Sequence, residues 1–293
     1  MMAVNIRILE TPEEMVDVEE LQRIVWPGSE TEVVPIHMLI TAAHNGGLVL
    51  GAFDGEKMVG FAFGFPGLYE VPDGPRLKHC SHMLAVLPEL RDSGIGFALK
   101  RAQWQIVRKQ GLDRITWTYD PLQSRNAYFN IARLGAVCNT YLREVYGEMR
   151  DGLNVGLASD RFQVDWWVNT QRVERRLGNR PRGELGIGDY DSAHIPYLYR
   201  VAGRPGTFVR PPEHFASPGE TMLLAEIPSN FPALREADLA LAIAWRAFTR
   251  QVFETCFAAG YLVTDVLYDK SGPRSFYVLT HGQATLGDFT VQK

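Results

Sequence analysis

Val86-Leu87-Pro88-Glu89-Leu90-Arg91-Asp92-Ser93-Gly94-Ile95-Gly96 is the stretch around which the rest of the chain is organised. Before it, Leu77 to Leu87 reads as a strand. After it, Ile95, Ala98, Leu99, Ala102 and Ile106 fall at helical spacing on one face, and Gly111 ends a helix that runs to about Gln110. A strand therefore passes through a glycine-containing turn into a helix N-terminus. Glycine lets the backbone approach a ligand without a Cβ clash. The first helical N–H groups lack partners, and the helix dipole adds positive character at that end. Together they predict a pyrophosphate cradle, with Arg91 adding charge at its mouth. A Walker loop is absent, and a dinucleotide fingerprint fails because Gly94 and Gly96 are followed by Leu99 where a third glycine belongs.

Working outward toward the N-terminus, Asn5 to Glu10 reads as a strand. Thr11-Pro12-Glu13-Glu14 opens a helix to about Val25, with Thr11 as cap, Pro12 at the first helical position and two Glu at the positive end. A second helix covers about Ile36 to His44. Leu48 to Phe53 and Met58 to Phe65 are strands joined by the hairpin signal Asp54-Gly55. Val59, Phe61, Phe63 and Phe65 share one face of the second strand, while Gly60, Ala62 and Gly64 share the other. The small face predicts a helix packed close against it.

Toward the C-terminus, Ile115 to Tyr119 is a strand and Ser124 to Leu134 a helix closed by Gly135. Val137 to Tyr146 and Phe162 to Val168 are strands. Beyond about residue 170 the character changes. Arg172 to Arg182 is Arg-rich, Gly183 to Gly188 is loop-like, and Arg204 to Gly219 is dense in Pro and Gly. Met222 to Ile227 reads as a strand and Pro232 to Ala259 as one long helix. Tyr261 to Tyr268 and Ser275 to Thr280 form a hairpin across Ser271-Gly272-Pro273. The expected class is α/β with a mixed α+β sheet, divided into a domain over 1–170 and a C-terminal α+β extension over 171–293.

Composition narrows the function. A net charge of −4 gives no bulk electrostatic case for nucleic acid. No apolar run approaches the roughly 18 residues of a membrane span, and the N-terminus has no signal-peptide layout. Cys80, Cys138 and Cys256 are widely spaced with no CxxC pair, which argues against a disulfide scaffold or a metal site and fits a reducing, cytoplasmic setting. The Arg172, Arg175, Arg176, Arg180 and Arg182 run is expected to be a solvated face; nucleic-acid binding through it would show steep salt dependence.

The full spacing V-x-P-x-x-R-x-x-G-I-G resembles the acyl-CoA-binding motif of the GNAT N-acyltransferase superfamily, with Arg91, Gly94 and Gly96 on its key positions. The resemblance covers about residues 5 to 170, and the Ser124 to Gly135 segment matches the superfamily's next motif. It implies a GNAT fold and direct transfer of an acyl group from acetyl-CoA or another acyl-CoA to an amine, with no metal. The acceptor it implies is a small molecule or a terminal amine, with amino acids, and succinyl-CoA as donor, among the cases in similar proteins. A homodimer is common in that superfamily. The backbone of Leu84, Ala85 and Val86 would face pantetheine and the thioester carbonyl. Arg91, Asp92, Ser93, Gly94, Ile95 and Gly96 would hold the pyrophosphate. Asn126 or Asn130 would anchor CoA or cap backbone groups.

The resemblance leaves the catalytic pair open. Its strand Glu is absent here, and His79 and His82 stand on that strand instead. His82 shares simple strand parity with Leu84 and Val86 and has a suitable pKa for a base. Glu70 and Asp120 are alternatives. The family's Tyr, four residues before the closing glycine, falls on Ile131. Tyr128 on the same helix is the substitute acid, with Tyr141 and Tyr146 as alternatives. A rival function follows from these departures: a catalytically weak CoA-binding or acyl-CoA-sensing protein.

Overall fold

The computed structural model describes residues 4–28, 30–147, 156–178, 185–203, 208–270 and 272–281. Arg180 and Arg182 of the basic run, Gly183 of the loop, Ser271 of the hairpin turn and residues 204–207 of the Pro- and Gly-rich stretch lie outside them. The chain divides into two compact units.

The first unit holds the described residues up to Trp117 together with Trp167–Asn169. Its strands are β1 (Asn5–Ile8), β2 (Leu48–Asp54), β3 (Lys57–Tyr69), β4 (Arg76–Val86) and the start of β5 (Arg114–Tyr119). The first four pair antiparallel in sequence order, and β4 pairs parallel with β5, giving the mixed sheet that the sequence predicts. The helices are α1 (Pro12–Val25), α2 (Ile36–His44) and α3 (Ile95–Lys109). Thr11 and Glu14 form a full capping box at the start of α1. The Thr11 hydroxyl accepts from the Glu14 N–H at 3.4 Å, and the Glu14 carboxylate accepts from the Thr11 N–H at 3.1 Å. Gly55 turns the β2–β3 hairpin at a φ of +61°, which favours glycine.

The two faces of β3 are used as their side chains require. Phe61 meets Trp26 edge-on at 6.2 Å between ring centroids. On the opposite face, a Cβ at Gly60 would stand 3.3 Å from Ile95 and from Leu99, so α3 lies directly on the small-residue face. The core of this unit gathers Leu9, Met15, Val18, Leu21, Leu39, Val49, Phe61 and Leu99, all but fully buried.

In the second unit, the strands run in the order β7 (Arg161–Trp167), β6 (Val137–Leu142), β9 (Leu262–Asp269), β10 (Arg274–Thr280), β8 (Met222–Ile227), each antiparallel to its neighbour. Phe162 is its aromatic centre, within 5.8 Å of the rings of Tyr119, Tyr141, Phe253, Phe257 and Tyr277. Three expectations are corrected here. The helix expected over Ser124 to Leu134 is a single α-turn, α4 (Ser124–Ala127), running into a π-helical turn over Tyr128–Arg133. The strand expected over Val137 to Tyr146 stops at Leu142. The long helix expected over Pro232 to Ala259 is two, α7 (Phe231–Ala237) and α8 (Leu239–Ala258). Asp238 separates them in an extended conformation, and its carboxylate accepts from the Leu241 N–H at 2.8 Å as the cap of α8.

The basic run is also only partly a solvated face. On α5 (Gln171–Leu177), Arg172 donates to the carbonyl oxygens of Gly135 and Thr264, and Arg176 donates to that of Ala132 and pairs with Asp265. These two guanidiniums tie backbone together, while Arg175 donates to Gln171 on the exposed side. A further helix, α6 (Ile187–Ser192), buries Tyr190 against Leu224, Leu267, Phe276 and Val278.

Candidate active site

The turn from β4 into α3 is built as the sequence demands. Pro88–Leu90 forms a 3-10 turn, closed by the Leu90 N–H donating to Leu87 O at 2.9 Å. Asp92 then takes a left-handed φ of +66° and Gly94 one of +93°. The Ser93 hydroxyl folds back onto Leu90 O at 2.6 Å. Gly94 occupies the N-cap of α3 and supplies no side-chain cap, so no capping side chain competes at the dipole's positive end. The Arg91 and Ser93 N–H groups are taken up within the turn by Pro88 O at 3.3 Å and Leu90 O at 3.4 Å, so the anion-binding end of the turn is the first turn of α3. Arg91 is exposed beside it. Arg91, Asp92, Ser93, Gly94, Ile95 and Gly96 are thus brought together in one turn.

The strand leading into that turn has an open edge. The parallel ladder between β4 and β5 consists of His79↔Ile115 and Cys80↔Thr116 among the described residues, whereas β4 continues to Val86. The Leu87 N–H donates to Val59 O on β3 at 3.0 Å. Backbone groups alternate along a strand, so Ala85 faces β3 while the N–H groups of Leu84 and Val86 face the edge that β5 has left. Past Cys80 and Thr116 the two strands form a fork.

A bulge sits at the mouth of this fork. Gly64 pairs with Ser81 and Phe63 with Met83, so His82 is the extra residue. The bulge overturns the parity expected for His82. Leu84 and Val86 lie opposite Ala62 and Gly60 on the α3 side. The His82 ring instead lies on the aromatic side, 5.9 Å from the Phe63 ring and 5.8 Å from that of Phe65. It remains exposed to solvent, and the loss of part of its hydration beside these rings lowers its pKa. The neighbouring His79 is fully buried on the α3 side. Burial first, and then the Lys100 charge, pull its pKa down to about 3, so it stays neutral. Its Nε2 lies 3.1 Å from Gln103 Nε2, and its Nδ1 has no hydrogen-bond partner.

The sequence reading passed over one group in this unit. Lys100 of α3 is 2% exposed, and its ammonium donates to Ser81 Oγ and to Gln103 Oε1, each at 2.9 Å. The same nitrogen stands 3.8 Å above the centre of the Trp117 ring. Burial lowers the pKa of Lys100 to about 7, slightly opposed by Cys80, whose own thiol burial pushes up. The signal was present in the spacing: Lys100, Gln103 and Val107 lie at i, i+3 and i+7 on the buried side of α3.

The remaining candidates lie in the second unit. Asn126 is exposed on α4, and Tyr128 is half-buried at the start of the π-helical turn. Ile131, at the position where a Tyr is expected, is completely buried as a core side chain. Tyr141 donates to Asp160 at 2.7 Å, and burial and that carboxylate raise its pKa. Tyr146 is exposed and within 2.8 Å of Thr118 Oγ1. Asp120 is not available as a base, because Arg246 holds both its carboxylate oxygens at 2.8 and 2.6 Å. Glu70 is exposed past the end of β3. Among the described residues no cluster of His, Cys, Asp and Glu has the makings of a metal site, and no helix is long and apolar enough to cross a membrane.

Part of the chain is similar to known proteins. Residues 15–131 match the family model described as Acetyltransferase (GNAT) family. Solved structures similar to it include an acetyltransferase of the GNAT family from Desulfovibrio desulfuricans, at 19% identity and a TM-score of 0.45 over 57% of this chain and 99% of that one. Ard1 from Thermoplasma volcanium is similar at 20% identity and a TM-score of 0.42, over 56% of this chain and 96% of its own. Chaetomium thermophilum Naa20, determined with a bisubstrate analogue, is similar at 14% identity and a TM-score of 0.45, over 62% of this chain and 93% of its own. A search of curated protein sequences finds no match.

Proposed function

We propose that this protein transfers an acetyl group, or another short acyl such as succinyl, from acyl-CoA directly to a primary amine of a small molecule, with amino acids as the acceptor class. The observation that carries the reading is the placing of an open strand edge at Leu84 and Val86 one turn before the N-terminus of α3, where Gly94 supplies no side-chain cap. An elongated substrate with amide groups at one end and a pyrophosphate at the other matches that placing. The backbone of Leu84, Ala85 and Val86 binds pantetheine and offers an N–H to the thioester oxygen as negative charge develops there. Arg91, Asp92, Ser93, Gly94, Ile95 and Gly96 enclose the pyrophosphate.

His82 is the base in this reading. It is exposed at the mouth of the fork, and its depressed pKa keeps it unprotonated near neutrality, ready to accept the proton of an incoming amine. The resemblance adds Asn126 as a CoA anchor and Tyr128 as the hydroxyl for the thiolate. Residues 1–170 form the acyl-CoA-binding domain and 171–293 an extension that shapes acceptor choice. Free Cys80, Cys138 and Cys256 support a cytoplasmic location. A second reading, an acyl-CoA sensor with weak catalysis, is favoured by the burial of Ile131 where a Tyr is expected.

Thermal unfolding with CoA, acetyl-CoA and succinyl-CoA tests the reading, followed by an amine screen for thiol release. Ligand at 100 times its Kd adds about 2.7 kcal/mol, a shift of several degrees. Gly94→Val forces a branched side chain onto a left-handed φ and is expected to remove the shift. A shift unchanged in Gly94→Val overturns the site; a shift without thiol release for any amine favours the sensor.

A further inference from the structure

We infer that Lys100 is the proton donor to the departing CoA sulfur, acting from the α3 side of the fork opposite His82. This inference rests on the acyl-CoA reading above and assigns to Lys100 the step that the resemblance gives to Tyr128, so that Tyr128 has no part in it. The geometry is local to the first unit. Cys80↔Thr116 is the last described rung between β4 and β5. Ser81 and Trp117 are the next residues on the two branches, and the Lys100 ammonium touches both, 2.9 Å from Ser81 Oγ and 3.8 Å from the centre of the Trp117 ring. A lysine that spans both branches at their point of divergence stands where the reacting end of a substrate lying in the fork would be. His82, the residue after Ser81, projects to the other side of the sheet beside Phe63 and Phe65. A proton acceptor and a proton donor therefore flank the fork on opposite faces, which keeps them from neutralising one another.

The chemistry balances with these two groups. The amine nitrogen forms its bond to the thioester carbonyl carbon, and the C–S bond breaks with its electron pair left on sulfur. The amine's proton passes to His82, and the Lys100 ammonium gives one proton to the sulfur, leaving CoA thiol and a neutral Lys100 that regains its proton from solvent. Several groups face Lys100 at close range. From β4 come the neutral His79 and the Cys80 thiol. Ser81 of β4, Trp117 of β5 and Gln103 of α3 also face it, none of which titrates. With its pKa near 7, Lys100 passes a proton downhill to a thiolate whose conjugate acid has a pKa of about 8.5.

The test compares the affinity of the full chain for CoA and for desulfo-CoA, which lacks only the thiol, by titration calorimetry from pH 6 to 9. A Lys100 nitrogen that shares one proton with the sulfur predicts that wild type prefers CoA by about tenfold, and that the preference vanishes in Lys100→Met while affinity for desulfo-CoA is kept. Tyr128→Phe is expected to retain it. A wild-type protein that binds both equally overturns the inference and leaves the acyl-CoA reading standing; that arm needs no variant to fold. A preference that survives in Lys100→Met, or is lost in Tyr128→Phe alone, also overturns it. Failure of wild type to bind either compound instead brings down the acyl-CoA reading, and this inference with it.

Discussion

Lys100 in the first unit and Arg246 in the second are both cations buried on helices, at 2% and 4% exposure, yet their surroundings treat the charge in opposite ways. Burial pulls the Arg246 pKa down, but the Asp120 carboxylate, bound through two hydrogen bonds, more than offsets this and raises it. The charge there is permanent and fixes α8 to the turn after β5. A second pair repeats the device: Asp160 accepts from Arg250 through two hydrogen bonds at 2.8 Å, and also from Tyr141 and the Glu144 N–H. Lys100 is instead gripped by the neutral Ser81 and Gln103 and by an aromatic face, so burial wins and the proton is held loosely. The difference teaches which charges are structural. A charge whose desolvation is matched by an ion pair serves rigidity, whereas one held near neutral pH is free to exchange its proton.

The comparison breaks most sharply at Arg246. Arg246→Met leaves the Asp120 carboxylate buried without its cation and is expected to cost about 3–5 kcal/mol in urea unfolding. A loss below about 1 kcal/mol would show that Asp120 is not dependent on its partner. Next in size is Gly64→Ala, which tests how tightly the Lys100 neighbourhood is built. The new Cβ would lie 2.2 Å from His79 Nε2 and 2.6 Å from Cys80 O, and the second contact is backbone. Displacing the His79 ring and β4 is expected to cost about 1–3 kcal/mol, read as a drop in urea midpoint. Full stability in this variant would mean that the cluster has room to spare.

The smallest effect is the most specific. Lys100 titrates near 7 when folded and near 10.4 when unfolded, so between those values the unfolded chain binds the extra proton. Stability should therefore rise with pH across that window, by at most about 1.4 kcal/mol per pH unit, and Lys100→Met should flatten the rise. Arg246 has no matching titration in that range. An identical slope in wild type and Lys100→Met would place the Lys100 pKa back near its ordinary value and erase the contrast.

Much of the first unit was legible because its signals are local. Thr11 and Glu14 declare a helix start by their spacing, Asp54-Gly55 declares a hairpin, and the alternation of Phe with Gly and Ala along β3 declares which side receives a helix. The turn from Leu87 to Gly96 declares a sharp strand-to-helix connection because glycine, Pro and the helix start carry their geometry with them. The errors share a different cause. His82 was assigned to the wrong face because a bulge is an insertion relative to a partner strand, and β4 alone does not reveal its register with β3. The long C-terminal helix broke at Asp238 because a capping carboxylate competed with helix propensity that favours continuity on both sides.

What the sequence by itself determined is the order of elements in the first unit and the glycine turn that leads from β4 into α3, since backbone preference and periodicity are set within a few residues of chain. Only the tertiary structure decided which side chains meet at the fork and what protonation they keep. Ser81, Lys100 and Trp117 come from three elements, and the lysine's loosely held proton arises from burial that exists only once those elements have packed.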